Sequence, residues 1–194
     1  EWNDTDTQLR GEELKRRITD VDVCMTGWGS SRYDKDLLET AERLRVVAHT
    51  GGSVAGIVSD YLYDRGITVV SGNQLYAESV AEGTIAYILT ALRMIPYYSG
   101  EMQKGIWAKT GVYYNEGLLD QKIGLVGFGA VAKFLVPMLE PFRTEIKVYD
   151  PYVSDEVLLS YGVKRASLEE IFTTSKIISI HAAKTPDTYH LIGR

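Results

Sequence analysis

The sequence predicts an α/β protein built on parallel sheets, and two observations carry that reading. From Val21 onward, short runs rich in β-branched residues alternate with amphipathic stretches, the pattern of strands joined by crossover helices. A second series of the same kind follows an aperiodic stretch between Tyr97 and Asp120, which gathers Gly100, Gly105, Gly111 and Gly117 with Trp107, Tyr113 and Tyr114. That stretch reads as a connection between two units, a first domain over residues 1–98 and a second over residues 99–194.

In the first unit, strands are expected at Val21–Met25, Val46–His49 and Thr68–Val70, with helices over Asp36–Glu42 and Val58–Arg65 between them. Gly66 stands where a helix needs a left-handed C-terminal residue. Ser79-Val80-Ala81-Glu82 has the form of a capping box, so a long helix is expected from Ser79 to about Arg93, before Pro96. The same role makes Glu82 structural rather than catalytic. In the second unit the expected order is strand Ile123–Val126, helix Ala130–Glu140, strand Glu145–Tyr149, a short helix opened by Ser154 and closed by Gly162, a helix led by the Ser167–Glu170 capping box, and strand Ile177–His181. Pro137 conflicts with its helix, where it removes a hydrogen bond at a cost of about 3 kcal/mol.

Composition narrows the function classes. A net charge of −5 and the lack of any basic run argue against nucleic acid as a partner. Apolar stretches are broken by charges well short of the ~20 residues that span a bilayer, so no membrane role is expected. The single Cys24 points to a reducing, cytoplasmic setting, and three dispersed histidines suggest no metal site. A chain that opens at Glu1 and closes on Gly193-Arg194 also reads as a segment of a longer protein.

Chemistry concentrates in Gly127-Phe128-Gly129-Ala130-Val131-Ala132, which lies between a strand and a helix. In a dinucleotide-binding turn the first glycine allows the tight bend, the second lets backbone approach a pyrophosphate, and a small third residue lets helix and strand pack. The helix amides then face the anion. An acidic residue about 20 positions further on accepts hydrogen bonds from the adenosine ribose, and Asp150 ends the next strand. With Pro151 and Tyr152 after it and no arginine, NAD is preferred over NADP. A tight turn without nucleotide and a plain Asp-Pro turn are the alternative readings of the glycines and of Asp150.

The ordered set Gly66–Val69, Ala77–Glu82, Trp107, Lys122–Gly129, Tyr149–Tyr152 and Ser179–Ala182 resembles the D-isomer-specific 2-hydroxyacid dehydrogenases, the family of phosphoglycerate dehydrogenase and glyoxylate reductase. The resemblance implies a flavodoxin-like substrate domain followed by the first half of a Rossmann NAD domain, and a homodimer. It implies an NAD-dependent oxidoreductase that interconverts a small 2-keto acid and a D-2-hydroxy acid. Carried over by position, Gly51, Gly52 and Ser53 hold the substrate carboxylate. Gly127, Gly129, Ala130 and Val131 face the pyrophosphate, Asp150 binds the ribose, and His181 and Ala182 lie beside the cofactor.

The chain departs from the family where Ser71 and Asn73 replace an Asn and Pro, and where Ala183 and Lys184 replace Pro-Leu. The family's catalytic arginine, glutamate and histidine fall beyond Arg194, so no catalytic residue is assigned in this chain. An NAD-responsive binding protein of corepressor type and a catalytically inert fragment are the alternative readings.

Overall fold

The structure, a computed structural model, describes residues 3, 5–107 and 115–193. Gly111, Tyr113 and Tyr114 of the connecting stretch lie outside the described residues. The chain divides into two compact units, Glu1–Tyr76 and Ala77–Arg194.

The first unit runs α1 (Gly11–Ile18), β1 (Val23–Thr26), α2 (Lys35–Leu38), β2 (Val46–His49), α3 (Asp60–Asp64) and β3 (Thr68–Ser71). Its strands form a parallel sheet in the order β1-β2-β3, with Val47 opposite Cys24 on one side and Val69 on the other. Alternation along β2 buries Val47 and His49 on one face. Leu38 and Leu62, from α2 and α3, are fully buried in the same cluster, each worth about 2 kcal/mol of burial. Both helices start on side-chain caps: Asp34 accepts from the Leu37 amide at 3.1 Å and Ser59 from the Leu62 amide at 3.2 Å. Gly66, at φ +70°, ends α3 as expected. Sequence periodicity did not reveal α1, because its face toward the core consists only of Leu14 and Ile18 among charged neighbours.

The long helix departs from expectation. It is α4, and it runs Asn73–Leu92, so Ser79 and Glu82 lie inside it and form no capping box. The cause lies just upstream, where the Gly72 amide donates to the carbonyls of His49 (3.1 Å) and Gly51 (3.0 Å) and turns the chain off β3 straight into the helix. A break at Met94, in the left-handed region, then lets Pro96 enter the first turn of α5 (Ile95–Gln103), where a missing amide does no harm.

The second unit continues with β4 (Lys122–Val126), α6 (Ala130–Leu139), β5 (Glu145–Tyr149), α7 (Asp155–Ser160), β6 (Lys164–Arg165), α8 (Leu168–Thr174) and β7 (Ile177–Ile180). Its strands form a parallel sheet in the order β6-β5-β4-β7. Ile123 through Val126 are all buried, the signature of a strand covered on both faces. One cover is α6, through Ala132, Leu135, Val136 and Leu139; another is α8, which approaches Gly124 so closely that a Cβ there would lie 2.5 Å from Ile171 Cγ2. Pro137 stays inside α6 on its exposed face with Lys133, where the carbonyl it leaves unpaired can be hydrated. The two-residue β6 was too short to read from sequence. Among the described residues, no helix is long and apolar enough to cross a membrane.

Candidate cofactor and substrate loops

At the end of β4 the Gly127 amide donates to the Tyr149 carbonyl at 2.8 Å, and the His181 amide donates to the Val126 carbonyl at 2.7 Å. Gly127 has φ +95°, and a Cβ on it would lie 2.7 Å from the Ala182 nitrogen and 2.9 Å from the Ala182 Cα. Both its conformation and its surroundings therefore require glycine. Gly129 differs: a Cβ there would meet nothing within 4 Å. It is the N-cap of α6 and offers no capping side chain, so the amides of Ala130 and Val131 open a ten-residue helix onto free space. This is the geometry an anion needs, with aligned amides, a helix dipole and no side chain in the way. The residues present therefore fit a dinucleotide pyrophosphate. Ala132, at the third position, is fully buried against the sheet.

Asp150 follows β5 and faces the same turn. Its Oδ2 accepts from the Phe128 amide at 2.7 Å, while Oδ1 accepts from the amides of Tyr152 (2.8 Å) and Val153 (3.0 Å). Burial pushes its pKa up, but the three amides and the nearby Arg165 charge outweigh it and hold the carboxyl below the ordinary aspartate range. It is ionised at neutral pH. A carboxylate offers about four acceptor positions, so one remains on Oδ2 for a ribose hydroxyl. The Asp150 carboxylate thus also holds the Gly127 turn to the loop after β5.

His181 follows β7, with Nε2 2.9 Å from Ser179 Oγ. Burial pushes its pKa down, which keeps the imidazole neutral. It lines a cavity of about 820 Å³ beside β7, together with Thr84, Tyr87, Ile88, Lys176 and Ser179. Ala182 packs its backbone against Gly127.

The other predicted loop, Gly51–Ser53, follows β2 in the first unit. Among the described residues, the amides of Gly51, Gly52 and Ser53 donate to no protein acceptor. Three successive unpaired amides are suited to a carboxylate. Beneath them lies a residue that the sequence reading passed over. His49 is 3% exposed, its Nδ1 stands 3.0 Å from Thr26 Oγ1, and its buried Nε2 has no partner. A Cβ on Gly51 would lie 2.5 Å from that Nε2 and 3.0 Å from Trp28 Cε2. The signal in the sequence was alternation, which puts His49 on the buried face with Val47. Among the described residues no group of three potential metal ligands occurs.

Comparison with known proteins agrees with this geometry. Residues 85–194 match the family described as D-isomer specific 2-hydroxyacid dehydrogenase, NAD binding domain. Over 189 residues the chain is 33% identical to D-3-phosphoglycerate dehydrogenase of Methanocaldococcus jannaschii, covering 97% of this chain and 36% of that protein. The human D-3-phosphoglycerate dehydrogenase is 29% identical over 188 residues, covering 95% of this chain and 34% of that protein. Among solved structures, a phosphoglycerate oxidoreductase from Rhizobium etli superposes with TM-score 0.65 at 28% identity, covering 87% of this chain and 56% of that one. D-lactate dehydrogenase of Aquifex aeolicus, complexed with NAD and lactic acid, shares the fold with TM-score 0.81 at 24% identity, over 91% of this chain and 53% of that one. The chain spans about a third of the length of these curated relatives and just over half of the solved chains. With more than half of its residues matched and the Gly127 turn inside the match, the chain belongs to the D-isomer-specific 2-hydroxyacid dehydrogenase family and carries its NAD-binding domain.

Proposed function

We propose that the protein is an NAD-dependent oxidoreductase that interconverts a small 2-keto acid and a D-2-hydroxy acid by hydride transfer. The observation that carries the reading is the Gly127 turn, where an open helix N-terminus at Ala130 and Val131 stands beside the ionised Asp150. In this reading the two amides bind the pyrophosphate, Gly127 and Gly129 keep the approach free of side chains, and Asp150 orients the ribose. His181 and Ala182 border the same site. When bound, the nicotinamide supplies or accepts the hydride. The amides of Gly51, Gly52 and Ser53 hold the substrate carboxylate. Proton transfer and polarisation of the carbonyl fall to groups outside the residues assigned here. The single, half-buried Cys24 supports a reducing cytoplasmic setting, and the family resemblance supports a homodimer.

The test is NADH oxidation by the natively expressed protein against glyoxylate, hydroxypyruvate, pyruvate and phenylpyruvate, with NADH affinity measured in parallel on the 194-residue chain. Turnover on one of these acids supports the proposal. Binding of NADH without turnover on any 2-keto acid overturns hydride transfer and leaves the nucleotide site standing. Absence of NADH binding overturns both.

A further inference from the structure

The strand β6 consists of Lys164 and Arg165 only, and it brings one guanidinium onto the loop that presents Asp150. Arg165 Nη1 donates to the Asp150 carbonyl, Nη2 to the Val153 carbonyl and Nε to Asp155 Oδ1, each at 2.5 Å. The first two contacts clamp both ends of the turn whose amides, those of Tyr152 and Val153, donate to Asp150 Oδ1. The third ties that turn to the first residue of α7. The pairing of β6 with β5, Val148 opposite Arg165, fixes where the fork originates, and the Ala166 amide donates to the Val148 carbonyl at 2.8 Å directly beside it.

We propose that Arg165 is a positioning residue for the adenosine-ribose site: its planar fork fixes the Asp150–Asp155 loop so that the remaining acceptor position of Asp150 Oδ2 points to the ribose. This rests on the NAD reading of the Gly127 turn. With Oδ1 already engaged by two amides, ribose recognition runs through a single oxygen, and rotation of the loop redirects it. Geometry rather than charge is the operative property, because only a guanidinium reaches three acceptors in one plane.

A double-mutant cycle on NADH affinity, followed by fluorescence on the full 194-residue chain, tests this. Arg165→Met is expected to weaken NADH binding about tenfold in the unaltered background, and less than about twofold beside Asp150→Asn. Arg165→Lys, which keeps the charge and loses the fork, is expected to match Arg165→Met. Equal losses in both backgrounds overturn the proposal, as does rescue by lysine. Loss of NADPH affinity with NADH affinity intact overturns it too, since Arg165 is then a direct phosphate contact. A readout without cofactor separates failure of this inference from failure of the NAD reading. In the ligand-free chain, the Asp150 carboxyl carbon titrates at higher pH in Arg165→Lys, which keeps the charge that lowers it, if the fork acts through Asp150, and an unmoved titration in that variant overturns the proposal whether or not NADH binds.

Discussion

Strands β2 and β4 each lie between two parallel neighbours and each ends in a glycine turn, yet the turns are braced in different ways. Gly127 is held by main chain: a Cβ would meet the backbone of His181 and Ala182. Gly51 is held by side chains, His49 from beneath and Trp28 from the side. After Gly127 a ten-residue helix begins within three positions and supplies aligned amides with a dipole behind them. After Gly51 no helix begins until Asp60, and the amides of Gly51, Gly52 and Ser53 act without one. One turn is therefore fixed by the fold itself and the other by two replaceable rings. Under the proposed function, the first would hold the pyrophosphate and the second the substrate carboxylate.

The largest effect is expected at Gly127. In Gly127→Ala the new methyl sits 2.7 Å from the Ala182 nitrogen at a φ that L residues avoid, and no side chain can move aside. Strain and overpacking together destabilise the chain by about 3 kcal/mol or more, read by urea denaturation. A loss under about 1 kcal/mol contradicts the main-chain bracing.

Gly51→Ala should cost less, about 1–2 kcal/mol, because its clash is with side chains. The bracing can be relieved: Asn at position 49 keeps a group near Thr26 Oγ1 and removes the atom at Nε2. His49→Asn should therefore restore part of the stability lost in Gly51→Ala, measured as a non-additive cycle by denaturation. Additive losses would mean that His49 is not what excludes the methyl.

Gly129→Val separates a glycine needed by the fold from one that only the proposed nucleotide would need. Its Cβ faces open space, so the melting temperature should fall by no more than a few degrees, for a change of roughly 1 kcal/mol. NADH affinity should fall by more than about tenfold, since the branched side chain occupies the pyrophosphate approach. A stable variant with unaltered NADH affinity removes the nucleotide from this turn.

How much of this was legible follows from the same contrast. The Gly127 turn could be read because its parts are local in sequence, with strand, glycines and helix contiguous and Asp150 at a fixed distance. The clash that forces Gly127 involves Ala182, 55 positions away, and only the pairing of β4 with β7 brings it there. Parallel sheets were foreseeable from alternation, but their order was not, and neither was β6, whose two residues carry no period. The Ser79 cap failed because a local signal met a stronger tertiary one, the Gly72 amide bonded to the loop after β2. The roles of His49 and Arg165 are not legible in the sequence because the bonds that hold them run to Thr26 and to the Asp150 carbonyl, 23 and 15 positions away.

The smallest expected effect concerns Asp150, which joins the Gly127 turn to the loop after β5 by charge-assisted hydrogen bonds. Its folded pKa is lowered, so the sign is fixed: the ionised carboxylate contributes stability above the unfolded value of about 3.9, and that contribution disappears as pH falls through the lower folded value. Asp150→Asn should be less stable than the unaltered chain at neutral pH by a margin that stays constant down to about pH 5 and then narrows as the acid limb is entered. Chemical denaturation across that range measures it. The Gly51 turn contains no carboxylate bonded to its amides among the described residues, so Gly51→Ala should keep a constant deficit over the same acid range. If the Asp150→Asn deficit also stays constant into acid, the carboxylate's charge is not what braces the turn, and the bonds from Phe128, Tyr152 and Val153 act as neutral ones that an amide oxygen replaces in part.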